Sequence, residues 1–246
     1  MTVLTATPAQ FWTEDNVSVA LTSNDLTTIT PVEEGLSEDA PGFNKRDIDQ
    51  VFVGSRHGYQ IAGLWRTETA NALRKGINSG YKILAIEGTG DLFPVAGDYV
   101  DFMHVTKTNV EQNGSKNNIL GLTVTFALAE DGVNRSGQLV LPHGSHADRA
   151  GAPHITVGSI SLVKDQQFYI VMWGEDGADA RDSVDLLLQS SGGGSTISTG
   201  TTLAYNDKGF FVHGPVSSTT DGTLQYTYSN VSANARTFGV AIVYDR

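Results

Sequence analysis

Cysteine is absent from the 246 residues, so no disulfide and no thiolate–metal centre holds this chain together, and a cysteine nucleophile is excluded. Long apolar runs are missing too: none approaches the roughly 20 residues that a bilayer-spanning helix needs. The opening MTVLTATPAQFW has neither a basic stretch nor an apolar one, which predicts no secretory leader. Positive charge is scarce, with 16 Lys and Arg against 27 Asp and Glu and a formal net charge of −11. So acidic a surface repels nucleic acid and argues against a DNA-binding protein, although it suits a wall that sits near DNA without holding it. Charged residues make up 17% and hydrophobic ones 39%, a globular balance that excludes disordered and fibrous classes. No G-x-S-x-G, Walker loop or H-E-x-x-H occurs.

What is present is turn chemistry and alternation. Asp-Gly stands at 131–132, 176–177 and 221–222, and Asn-Gly at 113–114. Such pairs tolerate positive φ and favour hairpins between short strands. From Ile119 to Leu128 the residues Leu120, Leu122, Val124, Phe126 and Leu128 fall on one face, with Thr123, Thr125 and Ala127 on the other. That is the pattern of a half-buried strand. Phe238, Val240, Ile242 and Tyr244 repeat it, as do Leu224, Tyr226 and Tyr228, and Val184, Leu186 and Leu188. Further strands are expected at Val17–Leu21, Tyr59–Trp65, Tyr81–Glu87, Tyr99–Thr106, Gln138–Leu141, Ile155–Val163 and Gln167–Trp173. The rhythm predicts an all-β, mainly antiparallel sandwich or barrel. One short helix is expected at 67–75, opened by a hydroxyl and an acid and closed by Arg74, Lys75 and Gly76.

Residues 142–154, rich in Pro, Gly and small side chains, read as a linker, dividing the chain into domains 1–145 and 155–246. Gly192–Gly200 reads as a mobile Gly/Ser loop. Glu33–Asp49 reads as a long loop, acidic at Glu33, Glu34, Glu38 and Asp39 and basic at Lys45 and Arg46. A loop of that length inside a compact domain has a function or is disordered. The expectation is that it, with the arm Met1–Asn16, becomes fixed only against a neighbouring subunit. Phe43 is then the apolar anchor, and Lys45 and Arg46 meet the neighbour's carboxylates.

Candidate chemistry weighs lightly beside ordinary readings. His143, His146 and His154 could together hold zinc, but no thiol or carboxylate completes a familiar set. Glu175–Asp182 clusters four acids without the spacing of an EF-hand. Gly88-Thr-Gly90 lacks the third glycine and the helix of a dinucleotide fingerprint. In Gly54-Ser-Arg-His-Gly58 the residues Ser55 and His57 are not arranged as nucleophile and base. Trp12, Trp65, Trp173, Tyr205, Tyr226 and Tyr228 could form a sugar-stacking platform, yet most lie in or beside alternating apolar strands and read as core. With nothing resembling a catalytic constellation, the chain is expected not to be an enzyme and to need no cofactor or metal.

Across residues 11–141 the order of features resembles the major tail tube proteins of siphovirus-like phages. It runs through Val17–Pro31, the loop Glu33–Asp49, Val51-Phe-Val-Gly-Ser-Arg56, Tyr59–Trp65, the helix at 67–75 and Leu120–Leu128. It closes on Glu130-Asp-Gly-Val-Asn-Arg-Ser-Gly137, similar to a D-G-x-x-R-G element with Ser136 before the last glycine. Residues 155–246, through Ser183-Val-Asp-Leu-Leu-Leu-Gln-Ser190 and the last strand, resemble the jelly-roll or carbohydrate-binding-like sandwich that some phage tail proteins append. The resemblance implies a structural virion protein, made in the host cytoplasm, that forms hexameric rings stacked into a tube. DNA would pass through the lumen unbound, and other tail proteins would be partners. The alternative is a head decoration protein or a lectin-like binding module.

Overall fold

The computed structural model describes residues 10–14, 19–21, 26–40, 49–64, 80–88, 93–114, 120–129, 131–149, 152–174, 184–191, 196–203, 209–230 and 235–246. Every regular element among them is a strand, and every ladder with a described register is antiparallel, while one isolated bridge, Lys164 with Ser218, is parallel. The protein is all-β, as its alternation requires. The helix expected at 67–75 lies outside the described residues.

The strands in chain order are β1 (Gln10–Glu14), β2 (Val19–Leu21), β3 (Leu26–Ala40), β4 (Asp49–Leu64), β5 (Gly80–Glu87), β6 (Tyr99–Gly114), β7 (Leu120–Leu128) and β8 (Asn134–His146). They continue with β9 (Ile155–Leu162), β10 (Gln167–Gly174), β11 (Val184–Ser190), β12 (Thr196–Leu203), β13 (Gly209–Ser217), β14 (Gly222–Asn230) and β15 (Arg236–Asp245). They fall into two compact units: Met1–Leu21 with Lys82–Met103 and Asn134–Arg246, and Thr22–Tyr81 with His104–Val133.

In the first unit one sheet runs β13-β10-β15-β8-β6-β5-β1-β2, with β6 contributing its residues through Met103, and a second runs β12-β11-β14-β9. Their facing sides make a sandwich core. Phe168, Ile170 and Met172 of β10 and Phe238, Val240 and Ile242 of β15 meet Val184, Leu186 and Leu188 of β11 and Leu224, Tyr226 and Tyr228 of β14. The alternation in these strands is the direct cause, since each second side chain enters the core and each is worth about 1.5–3 kcal/mol when buried. The larger sheet is buried on its other face as well, at Leu139, Val171, Trp173, Ala241 and Val243.

This first unit differs from the division at 1–145 and 155–246. Residues 142–146 are not linker but the end of β8, which pairs with β15 from Arg236↔His146 through Asp245↔Arg135. The arm at 10–14 is likewise core rather than mobile: β1 pairs with β5, and Phe11 and Trp12 are buried. Part of the Gly192–Gly200 loop belongs to β12, paired with β11 from Val184↔Leu203. A chain ending at residue 145 leaves Leu139, Val140 and Leu141 without β15 and leaves the sandwich core with β8 alone of its six strands. We expect it to be insoluble or to lack a cooperative melt by circular dichroism; a sharp melt would restore the chain-order division.

The second unit is a four-strand antiparallel sheet, β3-β4-β7-β6. Tyr59, Ile61, Leu122, Val124 and Phe126 occupy its buried side, and the register sets Tyr59 opposite Phe126 and Ile61 opposite Val124. Gln60, Ala62, Thr123 and Thr125 take the other side. Lys107, opposite Phe126, is 1% exposed. Gly58 lies against β7 so closely that an added Cβ would sit 2.0 Å from the Phe126 carbonyl oxygen.

Candidate assembly surface

Glu33 and Glu34, expected in a loop, are instead in β3, where the register sets them opposite His57 and Arg56 of β4. Phe43, Lys45 and Arg46 lie outside the described residues. The ladder between β3 and β4 continues to Ala40↔Asp49. Only Gly58–Leu64 of β4 has β7 on its other side. Beyond that point Glu33–Ala40 and Asp49–His57 pair with each other and with no further strand among the described residues. The outcome is a two-stranded ribbon about 26 Å long, at roughly 3.3 Å per residue. A two-stranded ribbon is marginally stable by itself in water, and the edges of such a ribbon are where a further strand can pair. The acids that suggested a loop are compatible with a ribbon, because ladder hydrogen bonds come from the backbone and do not need apolar side chains.

In the first unit the segment 93–98 presents exposed apolar residues: Phe93 is 71% and Val95 46% exposed. The segment is held from beneath. The Val95 N–H donates to Asp98 Oδ2 at 2.7 Å and the Asp98 N–H to the Val95 carbonyl at 3.1 Å. The Gly97 N–H donates to the Leu139 carbonyl at 2.7 Å, and the Leu139 N–H returns a bond to the Asp98 carbonyl at 2.8 Å. Gly97 has φ 97°, and a Cβ there would lie 2.1 Å from Ser159 Oγ, so only glycine fits the turn. Beside it, Tyr99 donates its hydroxyl to Asp101 Oδ1 at 2.8 Å. Arg246 donates to the Tyr99 hydroxyl and, at 3.0 Å, to Asp101 Oδ1. Burial, more than these partners, pushes the Tyr99 phenol above its usual value. A fixed turn that holds an aromatic ring in water has its ordering entropy already spent, which favours a protein contact.

The three histidines do not form one cluster among the described residues. His143 packs on Trp12 with ring centroids 4.3 Å apart and stacks parallel to Trp173 at 6.2 Å. His146 lies on the opposite face of the sheet, 5.0 Å from Phe238 and 5.9 Å from Tyr228, and bonds the Pro142 carbonyl at 3.0 Å. No group of three His, Asp or Glu able to hold a metal occurs among the described residues. Trp12, Trp173, Tyr226 and Tyr228 are all core, at most 5% exposed, so these four do not make a sugar-stacking face. Trp65 and Tyr205 lie outside the described residues.

Burial among the indoles, with a lesser push from His146, lowers His143 from its ordinary 6.5 to about 4. The unfolded chain therefore takes up this proton first. Its contribution to stability is complete above pH 6.5 and is lost as the pH falls toward 4. The full shift would be worth about 3 kcal/mol, and partial solvent exposure reduces that to roughly 2. His143→Phe should flatten the fall in melting temperature between pH 6.5 and 4 relative to the parent protein. An unchanged difference between the two curves would refute the assignment.

No protein-family model and no curated protein matches the chain. Among solved structures it is similar to the crystal structure of the SPP1 Dit (gp 19.1) protein, titled a paradigm of hub adsorption apparatus in Gram-positive infecting phages. The match covers 97% of this chain and 99% of that one, at 5% identity and a TM-score of 0.32. So slight a likeness carries no argument about function.

Proposed function

We propose that the chain is a structural subunit of a phage tail that assembles with copies of itself, and that its specific form is the major tail tube subunit. The observation that carries this is the β3–β4 ribbon, a two-stranded extension whose edges are where a further strand can pair and that gains stability only by docking. A neighbouring copy supplies what the ribbon lacks: strand edges to pair with and a sheet to lie on. The closed symmetry of a ring then uses up the edges that would otherwise aggregate. Six subunits per ring, rings stacked into a tube, other tail proteins at its ends and a virion location complete the reading, which the tail-tube-like order of features in residues 11–141 supports. The acidity of the chain suits a conduit whose wall must not hold phosphates. The subunit works without a catalytic centre.

The test is electron microscopy of the purified parent protein and of a variant in which Leu36–Gly54 is replaced by Asn-Gly. Gly35 and Ser55 are already paired, so the two-residue turn closes the hairpin without changing the rest of β3 and β4. Rings or tubes from the parent and small particles from a folded variant are the expected result. A parent that remains monomeric at high concentration, or a variant that assembles normally, would overturn the proposal.

Phe93→Ser gives an independent check on the same reading. The ring is mostly in water, so the melting temperature of the subunit should change little. Loss of an exposed aromatic anchor should still weaken association by about tenfold or more, read by light scattering against concentration. Equal association of parent and variant would remove Phe93 from the contact.

A further inference from the structure

We propose that the end of the first unit's sandwich where Arg149, His154, Tyr226 and Tyr228 come together binds an oxyanion, the phosphate or carboxylate group of a small ligand. The chain is short of cations, yet it gathers them here. Arg149 donates from Nη2 to the Pro153 carbonyl at 3.2 Å, which brings its guanidinium beside His154. Its Nε is buried and has no hydrogen-bond partner, and the same is true of His154 Nδ1. Two buried nitrogens in neighbouring residues that lack partners are the donor set an oxyanion satisfies, and each left unmade is costly.

The topology supplies the surroundings. Tyr226 pairs with Ile155 in the β14–β9 ladder, directly after His154. His146 stacks edge-on to Tyr228, and Arg236, 4% exposed, stands opposite His146 in the β8–β15 ladder. The Arg149 charge reaches both phenols: burial raises them above their ordinary value, and Arg149 works against that rise. Asp148 is the anion that acts on the Tyr228 phenol. The charged and titratable groups at this end are thus Arg149, Arg236, His146, His154, Asp148 and the two phenols. An arginine with Nε and a second N–H in one plane matches two oxygens of a phosphate or carboxylate, and His154, as the tautomer with its hydrogen on Nδ1, adds a third donor. Lysine lacks that fork, so Arg149→Lys should not replace it.

The experiment is nuclear magnetic resonance of the full chain, following the Arg149 Nε–H and the histidine ring signals while inorganic phosphate or acetate is added. Saturable shifts at both residues are expected, with affinity about tenfold weaker in Arg149→Lys. Response to phosphate alone identifies a phosphorylated ligand, and an equal response to acetate identifies a carboxylate. Arg149→Gln and His154→Asn serve as second variants, each checked for a parent-like melt before titration. Absence of saturable shifts with both anions, or the same affinity in folded Arg149→Lys, Arg149→Gln and His154→Asn variants, would overturn the proposal. Neither result bears on the ribbon, which belongs to the other unit.

Discussion

Gly137→Ala should prevent the first unit from folding. An alanine Cβ at this place in β8 would stand 1.9 Å from the Ile242 carbonyl oxygen and 2.7 Å from the Val243 Cα. Both obstacles are backbone of β15, a strand whose residues 238–243 are all buried, so neither can swing aside as a flexible side chain would. Relief requires β8 and β15 to part where Val243 pairs with Gly137 and Ile242 with Gln138. Parting them opens the sandwich core above Phe238, Val240 and Ile242. Forcing extra volume into a packed core ordinarily costs about 1–3 kcal/mol. A clash with two fixed backbones exceeds that range and approaches the whole stability of a domain, about 5–15 kcal/mol. The measurement is a thermal melt followed by far-ultraviolet circular dichroism. Gly158→Ala is the control: nothing lies within 4 Å of a Cβ there, so its melt should match the parent's to within a degree or two. A Gly137→Ala protein that melts like that control would show that the β8–β15 register is not as described.

The value of Gly137 was partly visible in the sequence and partly not. The residue closes Glu130-Asp-Gly-Val-Asn-Arg-Ser-Gly137, and the Asp-Gly within it announced a turn; Gly132 has φ 68°. What composition cannot announce is a long-range approach, because the strand that crowds Gly137 lies about a hundred residues further on. The same limit explains which strands were legible. β7, β11 and β14 bury alternate side chains, and β10 and β15 send alternate apolar residues to the sandwich core while burying the other face as well; such alternation survives in any register. β13 did not show itself because Gly214 and Pro215 interrupt it. It tolerates them at the end of its sheet's strand order, where a missing N–H need not face a neighbour. β12 was hidden by serines, threonines and a glycine, which a ladder of backbone bonds admits. In β3 the acids disguised a strand as a loop. Glu33 and Glu34, picked out by their charge, are ladder positions, whereas no pattern in the sequence marks Phe93 as exposed.

Trp173→Ala should cost the first unit about 3–5 kcal/mol, the usual loss for emptying a buried aromatic site. Trp173 is the largest of the fully buried side chains among the described residues and the hub of an aromatic group. Trp12 lies edge-on at 6.1 Å, His143 stacks at 6.2 Å and Phe210 tilts against it at 6.5 Å. Gly239 of β15 lies under the indole, where a Cβ would come within 2.6 Å of the ring. No side chain on β15 can therefore fill the space that alanine leaves. The cavity stays, and with it the loss of contacts on every wall. Trp173→Phe distinguishes packing from polarity. The indole Nε1 is buried without a hydrogen-bond partner, a penalty of about 1–3 kcal/mol that phenylalanine removes. The smaller ring loses part of the packing, so the two effects oppose, and the net change should be within about 1 kcal/mol of the parent. Chemical denaturation of the three proteins reads the order directly. Parent and Trp173→Phe should lie close together with Trp173→Ala far below. A phenylalanine variant as unstable as the alanine one would mean that the indole nitrogen does find a partner and that the contact, rather than the volume, holds this face of the sheet.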